Sequence, residues 1–189
     1  MTQLLTSRTR GGADTRERLL QAVTELQAES GWAACTLKAV ATRAGLTTGA
    51  VYSTFGSRGA LLATWIVRRV EPYGFPADEP SLDAAVASFA RGYYAQTQTA
   101  EGIELVTMQL DLVRQAATDA ALADALSEGY ALLLGDLVAG LDARGAAVDS
   151  LSTEQLARRL VAVLQGLLIQ KLAFAPAVEE QDFVDAARA

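Results

Sequence analysis

The sequence predicts an all-α protein, and two observations support that prediction. The prolines are confined to EPYGFPADEP at residues 71–80 and APAVEE at residues 175–180, so the long segments between them lack the residue that breaks helices. Within those segments alanine is abundant, and the alternation of β-branched and polar residues that marks strands is absent. We therefore expect helices joined by short turns, with a boundary at residues 72–80.

Four helices are predicted ahead of that boundary. The first runs from its cap Asp14 to about Glu29, and Gly31 follows it as glycine commonly follows a helix end. Three shorter helices, over residues 37–44, 48–55 and 58–69, begin after the capping residues Thr36, Thr47 and Ser57.

Longer helices are predicted after the boundary, because apolar residues recur there at intervals of three and four. They cover residues 81–98, 101–116, 119–144 and 153–173, and a short tail helix follows Pro176. The helix over residues 153–173 is apolar almost all round, which is typical of a helix that is covered on every side.

Composition excludes several kinds of functional site. The 189 residues include no histidine and a single cysteine, Cys35. This excludes histidine bases, Ser-His-Asp and Cys-His pairs, most zinc sites, CxxC motifs and internal disulfides, and we expect no metal or cofactor. The N-terminus lacks the apolar run of a signal peptide, and no segment approaches the roughly twenty apolar residues of a membrane span. We therefore expect a cytoplasmic protein that does not enter a membrane.

Charge is distributed unevenly along the chain. The whole protein carries a formal net charge of −6. Residues 1–70 hold nine basic against four acidic side chains, a net charge of +5, which leaves −11 on the remaining residues. A basic N-terminal third on an acidic body is typical of a protein whose head binds a polyanion, although clustering by chance is an equally good explanation of the charges alone.

The segment KAVATRAGLTTGAVY at residues 38–52 has the spacing of a helix-turn-helix. Two helices that cross steeply need a short turn, usually with a glycine, and small residues where their axes meet. Ala41 supplies the small contact and Gly45 the turn, and Leu46 and Val51 form the apolar seam. An ordinary hairpin of two helices is the alternative on spacing alone.

At these residues the chain resembles the tetracycline-repressor (TetR) family of bacterial transcription regulators. The resemblance runs in order and spacing through residues 14–62, in the stretches TRERLL, ESGW, TLKAVA, AGLT and YSTFGSR. The chain departs from the residues that are usual in the family at several positions: Thr54 replaces a histidine, Gln27 a phenylalanine and Arg58 a lysine, and Gly59-Ala60 replaces a common acidic pair. The remaining two-thirds of the chain resembles the family more loosely.

The resemblance implies that the third helix enters the DNA major groove while neighbouring helix starts bind phosphates. The residue types agree with this, because helix N-termini attract anions. Arg58 is a cation at a helix start, which a phosphate would compensate; a solvated arginine is the alternative. The DNA-binding candidates are Thr36, Lys38, Thr47, Thr48, Gly49, Tyr52, Ser53, Thr54, Ser57 and Arg58. Each also has a plain structural alternative, namely capping, simple exposure or, for Tyr52, sealing of the three-helix core.

One helix-turn-helix reads few base pairs, so we expect a homodimer. The helix over residues 153–173 resembles the family's dimerising helix, and the interface candidates are Leu156, Leu160, Val163, Gly166 and Leu167, unless a single chain buries this helix by itself. The resemblance also implies a pocket for a small-molecule effector in the acidic body. The candidates for its lining, each of which also suits a core, are Trp65, Phe89, Tyr93, Met108, Leu112, Tyr130 and Gln165.

These expectations combine into one organisation of the chain. It has a flexible basic arm at residues 1–13, a helix-turn-helix DNA-binding domain at 14–57, a connecting helix at 58–71 and a helical ligand-binding and dimerisation domain at 72–189. Arg8 and Arg10 of the arm either enter a minor groove or have no role, and Cys35 is either a small buried residue or a site where oxidation disturbs DNA binding. The predicted protein is a homodimeric repressor that a small molecule releases from double-stranded operator DNA, and it is not an enzyme. The alternatives are a helical protein-interaction module and an all-helical enzyme.

Overall fold

The computed structural model describes residues 2–69, 75–76, 78–79, 81–146, 151–174 and 177–188, and within these ranges it describes the side chains from residue 13 onward except that of Arg69. Over these residues it contains nine α-helices, one 3-10 turn and no strand. The elements are α1 (Thr2–Ser30), the 3-10 turn (Trp32–Ala34), α2 (Leu37–Arg43), α3 (Thr48–Phe55), α4 (Arg58–Arg69), α5 (Leu82–Ala95), α6 (Ala100–Ala116), α7 (Ala120–Ala143), α8 (Thr153–Ala173) and α9 (Glu180–Arg188). None of the helices in the described ranges is long and apolar enough to cross a membrane.

The predicted all-α fold class is confirmed, and one helix start differs clearly from its prediction. We expected the first helix to begin after Asp14, whereas α1 begins at Thr2. A capping side chain stabilises a helix start but does not prevent the preceding chain from continuing the helix, and residues 2–13 contain no proline that would stop it. Pro72, Pro80 and Pro176 lie outside the described residues, as do the side chains of Arg8 and Arg10.

Two compact units make up the chain. Unit 1 comprises Met1–Arg69 and Leu112–Gly129, and unit 2 comprises Val70–Asp111 and Tyr130–Ala189. Helices α6 and α7 each contribute residues to both units. The stretch Leu112–Gly129, which was expected to belong to the second domain, is therefore part of the same compact unit as the N-terminal helices.

The interior of unit 1 is built around two tryptophans and the cysteine. The rings of Trp32 and Trp65 meet edge to face with their centroids 4.7 Å apart, and the indole N–H of Trp65 donates to Thr24 Oγ1 at 2.9 Å. Cys35 is completely buried, and its Sγ lies 3.8 Å from the Val23 carbonyl oxygen. Burial of Cys35 agrees with the expectation of a small core residue.

The core of unit 2 is formed by α5, α8, α9 and residues 130–143 of α7, together with Phe75 and with Val106 of α6. Phe183 of α9 has no exposed surface and meets the Tyr94 ring edge to face with the centroids 5.6 Å apart. At the rim of the same helix, Arg188 Nη2 lies 2.7 Å from Asp83 Oδ2 of α5. The C-terminal helix is therefore anchored by one large apolar side chain and by polar contacts around it.

Candidate nucleic-acid interface

Helices α2 and α3 form a helix-turn-helix whose turn is closed by backbone hydrogen bonds. Gly45 has a φ of 64°, its N–H donates to the Thr42 carbonyl oxygen at 3.0 Å, and the Leu46 N–H donates to the Ala41 carbonyl oxygen at 2.8 Å. This pair of bonds is the Schellman helix end, in which glycine takes a left-handed conformation that other residues resist. The turn predicted at Gly45 is confirmed.

Arg18 of α1 holds the same turn from outside, a role that was not predicted from the sequence. Its Nη2 donates to the Ala44 carbonyl oxygen at 2.6 Å, and its Nη1 lies 3.9 Å from Asp14 Oδ2. A Cβ atom on Gly45 would lie 3.3 Å from that Nη2, so the glycine also leaves room for the guanidinium. Arg18 and Ala44 are 26 positions apart, and no local sequence pattern connects them.

The three predicted capping residues cap their helices. Thr36, Thr47 and Ser57 each accept a hydrogen bond from the backbone N–H three residues later, at 3.2, 3.3 and 3.0 Å. A hydroxyl oxygen that accepts such a bond keeps its own proton. Thr36 and Thr47 are exposed and Ser57 is half-buried, so all three hydroxyls can still donate to a phosphate oxygen.

The outer face of α3 is exposed, polar and uncharged. Thr48, Gly49, Tyr52 and Ser53 are all exposed, and Tyr52 keeps 54% of its surface. Val51 on the opposite face has no exposed surface and packs inside unit 1. Tyr52 therefore has an open face for a partner, while nearly half of its surface is covered by the protein.

Two hydroxyls near the end of α3 are bonded to the helix itself. Ser53 Oγ and Thr54 Oγ1 both donate to the Ala50 carbonyl oxygen, at 3.1 and 2.7 Å. In this geometry each oxygen keeps only lone pairs for other partners, so the exposed Ser53 presents an acceptor. Thr54 is half-buried against its own helix. The predicted contact of Thr54 with DNA has the least geometric support among the candidates of α3.

Arg58 is placed differently from the prediction. Its Nε donates to the Cys35 carbonyl oxygen at 2.7 Å, and its Nη2 donates to the Trp32 carbonyl oxygen at 3.3 Å. The cation at the start of α4 is therefore compensated by carbonyl dipoles around the 3-10 turn rather than by a phosphate. This removes the reason for counting Arg58 among the phosphate contacts, and the observed role of its side chain is to join α4 to that turn.

Lys38 is an exposed lysine of unit 1, and its ammonium group is not paired with a carboxylate in the described part of the chain. Arg43 pairs with Glu29 at 2.7 Å, and Arg68 pairs with Glu17 at 2.5 Å. Lys38 is exposed at the start of α2, and within the described part of the chain it forms no ion pair with an acidic side chain. Lys38 is therefore an exposed cation that is available to a phosphate, whereas Arg16, another cation of unit 1, lies over the Phe55 ring with its Cζ 4.9 Å from the centroid.

The ion pair of Arg43 with Glu29 predicts a small pH dependence of stability. The hydrogen bond from Arg43 lowers the pKa of Glu29 below its ordinary value of 4.5. A lowered pKa stabilises the fold above the ordinary value, and that contribution is lost as the pH falls through the lower, folded-state pKa. We expect Arg43→Gln to lose less stability than the unaltered protein between about pH 6 and about pH 3. Urea unfolding at both pH values measures this, and equal losses in the two proteins would contradict it.

The candidates for the pocket lining are divided between the units. Trp65 and Leu112 are buried in unit 1, whereas unit 2 contains Phe89, Tyr93, Met108, Tyr130 and Gln165. The rings of Phe89 and Tyr93 meet edge to face with centroids 5.3 Å apart, and both pack against the core of unit 2. Burial does not decide whether a residue lines a pocket, so the role of all seven stays a prediction. No group of histidine, cysteine, aspartate and glutamate side chains in the described ranges is arranged to hold a metal ion.

The predicted interface residues of α8 also differ in their surroundings. Leu160 lies in the core of unit 2 with 7% of its surface exposed, and Leu156 and Leu167 are half-buried against that core. Leu160 is therefore mostly covered by its own chain, and its assignment to the dimer interface stays a prediction. Gly166 is different, because a Cβ atom placed on it would meet nothing within 4 Å.

Comparison with known proteins agrees with the helix-turn-helix geometry. Residues 19–64, which include α2 and α3, match the family model "Bacterial regulatory proteins, tetR family". No curated protein matches the sequence.

Several solved structures are similar over nearly the whole chain. A TetR transcriptional regulator from Rhodococcus sp. RHA1 is 20% identical, with 95% of this chain and 93% of that chain covered and a TM-score of 0.62. The multidrug binding protein EbrR, complexed with proflavin, is 23% identical over 92% of this chain and 98% of its own, with a TM-score of 0.61. Thermus thermophilus FadR, a TetR-family transcriptional repressor in complex with lauroyl-CoA, is 20% identical over 92% of this chain and 91% of its own, with a TM-score of 0.61. Residues 19–64 therefore carry the N-terminal domain of the tetR family of bacterial regulatory proteins, and the whole chain has the fold of TetR-family transcriptional regulators.

Proposed function

We propose that the protein is a homodimeric transcriptional repressor that binds operator DNA through α3 and releases it when a small molecule binds. The observation that carries the DNA-binding part is the outer face of α3, where Thr48, Gly49, Tyr52 and Ser53 are exposed on a helix whose start and preceding turn are fixed by hydrogen bonds. Side chains of this type make single hydrogen bonds to base edges and contact thymine methyl groups in the major groove.

Phosphate binding is assigned to the residues around α3. The hydroxyls of Thr36 and Thr47 retain a proton to donate, and the helices they cap carry partial positive charge at their starts. Lys38, two residues after Thr36, adds a full charge at the start of α2. Contacts of this type set the orientation of a protein on DNA and carry most of its salt dependence, whereas the base contacts of α3 supply sequence preference.

Replacing Lys38 with alanine is expected to reduce the slope of log affinity against log salt by about 1, because one phosphate contact is lost. Fluorescence anisotropy with labelled duplex DNA from upstream of the protein's own gene measures the slope. Arg91→Ala, which removes a surface cation of unit 2 paired with Glu180, is the matched control and is expected to leave it unchanged. Equal slopes for Lys38→Ala and the unaltered protein would remove Lys38 from the phosphate contacts.

The same binding experiment tests the proposed function as a whole. A gel shift at low salt with that upstream DNA should show a complex of the folded dimer, and sedimentation should show two chains per complex. A folded protein that binds no duplex DNA under these conditions would favour a helical interaction module or an enzyme and would end the proposal. We expect two DNA-binding domains per complex, because binding to two half-sites one helical turn apart discriminates between DNA sequences better than binding to one half-site.

The proposed effector is a largely apolar small molecule. Among the described residues, Thr97 is the one polar residue that is buried, so the interior of unit 2 offers mainly apolar contacts. Two similar structures hold proflavin and lauroyl-CoA, whose aromatic ring system and acyl chain suit such an interior. Both compounds are therefore the first probes: addition of an effector should release the DNA in the gel shift, as a ligand that favours the unbound conformation must.

A further inference from the structure

The corner between α6 and α7 belongs to the same unit as the helix-turn-helix. Leu112–Gly129 clusters with Met1–Arg69, and Leu112 and Leu122 have at most 1% of their surface exposed. Asp119 caps the start of α7, because its Oδ1 accepts from the Leu122 N–H at 3.0 Å. Unit 1 is thus completed by a stretch that lies far outside the segment matching the family model, residues 19–64.

Two glycines show how closely this corner packs on the end of α3 and the start of α4. A Cβ atom on Gly56, the C-cap of α3, would lie 2.6 Å from Ala121 Cβ. A Cβ atom on Gly59 would lie 2.7 Å from Leu122 Cδ2. Separations this short force one of the two atoms to move. Ala121 Cβ is fixed to the backbone, so a side chain on Gly56 would displace α7 itself, whereas a methyl group on Gly59 would displace the buried Leu122 side chain.

A third glycine marks a second close contact in the same unit. A Cβ atom on Gly129 of α7 would overlap Val67 Cγ2 of α4. Because Leu122 and Gly129 lie two turns apart on α7, the first half of this helix follows α4 along two successive contacts. The start of α7 is therefore held against α4 as well as against the cap of α3.

We propose that Ala121 and Leu122 are positioning residues for α3, which rests on the DNA-binding function proposed above. They contact no DNA themselves. The Gly56 N–H closes the last turn of α3 on the Tyr52 carbonyl oxygen at 2.8 Å, and Ala121 packs against that same glycine. A shift of the corner therefore moves the turn that carries Tyr52 and Ser53.

The test adds or removes single carbon atoms at these contacts in the full-length protein. Gly59→Ala is expected to weaken binding about tenfold to duplexes that the unaltered protein selects from a random-sequence pool. Adding Leu122→Val, which lacks the Cδ2 atom that the new methyl group would meet, should restore most of the affinity. Gly135→Ala and Gly92→Ala are the controls: a Cβ at either helical position meets nothing within 4 Å, so affinity should not change.

Hydrogen exchange measured on the protein alone separates this proposal from the DNA-binding function. Gly59→Ala should speed amide exchange in α3 more than in residues 19–26 of α1, most of which are buried. If Gly59→Ala folds poorly, Leu122→Val by itself should have the same effect. This result stands even if no duplex is selected, an outcome that would overturn the proposed function instead. Equal acceleration in α1 and α3, no difference between Gly59→Ala and Gly135→Ala, or no rescue by Leu122→Val would each overturn the positioning role.

Discussion

Replacing Arg58 with alanine is expected to lower the free energy of unfolding of unit 1 by about 2–3 kcal/mol and to leave the salt dependence of DNA binding unchanged. The guanidinium donates to the carbonyl oxygens of Cys35 at 2.7 Å and Trp32 at 3.3 Å. Alanine leaves both carbonyls without that donor, and hydrogen bonds that involve a charged group are stronger than neutral ones. Arg58 thus acts on DNA binding through the fold of unit 1.

Urea unfolding followed by tryptophan fluorescence measures the stability change, because the only two tryptophans, Trp32 and Trp65, belong to unit 1. Arg58→Lys is the matched variant, because it keeps the charge but replaces the planar guanidinium with a single ammonium group. Its stability should fall between that of the unaltered protein and that of Arg58→Ala. If Arg58→Ala kept full stability and reduced the salt slope as Lys38→Ala is expected to do, Arg58 would be a phosphate contact after all.

Replacing Phe183 with alanine is expected to cost about 3–5 kcal/mol of stability in unit 2. The side chain has no exposed surface and packs edge to face on Tyr94, so its removal leaves a cavity and uncouples α9 from α5. The salt bridge of Arg188 with Asp83 cannot compensate, because exposed ion pairs contribute at most about 1 kcal/mol.

Phe174 supplies the control for that experiment, because it is an aromatic residue of the same type with 78% of its surface exposed. Phe174→Ala is expected to change stability by no more than about 0.5 kcal/mol. Urea unfolding followed by far-ultraviolet circular dichroism compares the two variants. Similar midpoints for Phe183→Ala and Phe174→Ala would show that α9 does not anchor the core of unit 2.

The helices could be predicted because their signals are local. Thr36, Thr47 and Ser57 each cap a helix with the N–H three residues later, and Gly45 ends α2 by its own backbone conformation. The start of α1 was predicted wrongly because a cap favours a helix end without enforcing one. The resemblance through residues 14–62 was likewise carried by contiguous motifs, and the family match over residues 19–64 confirms it.

The contact partners of individual side chains could not be predicted from the sequence, because the two partners are far apart along the chain. Arg58 and the Cys35 carbonyl oxygen are 23 positions apart, so the charge of Arg58 at a helix start was visible but its partner was not. Leu160 was assigned to a dimer interface because its helix is apolar almost all round, and only packing shows which of those residues the chain covers itself.

The sequence by itself determined the all-α class, the helix-turn-helix and the uncharged outer face of α3, since each depends on residues within a few turns of one another. Only the tertiary structure decided that Arg58 holds a turn, that Lys38 stays open, and that the corner at Ala121 and Leu122 completes unit 1. The physical reason is that these features depend on which carbonyl, carboxylate or glycine folding brings within contact distance. Composition and spacing determine which groups are available, and packing determines which of them meet.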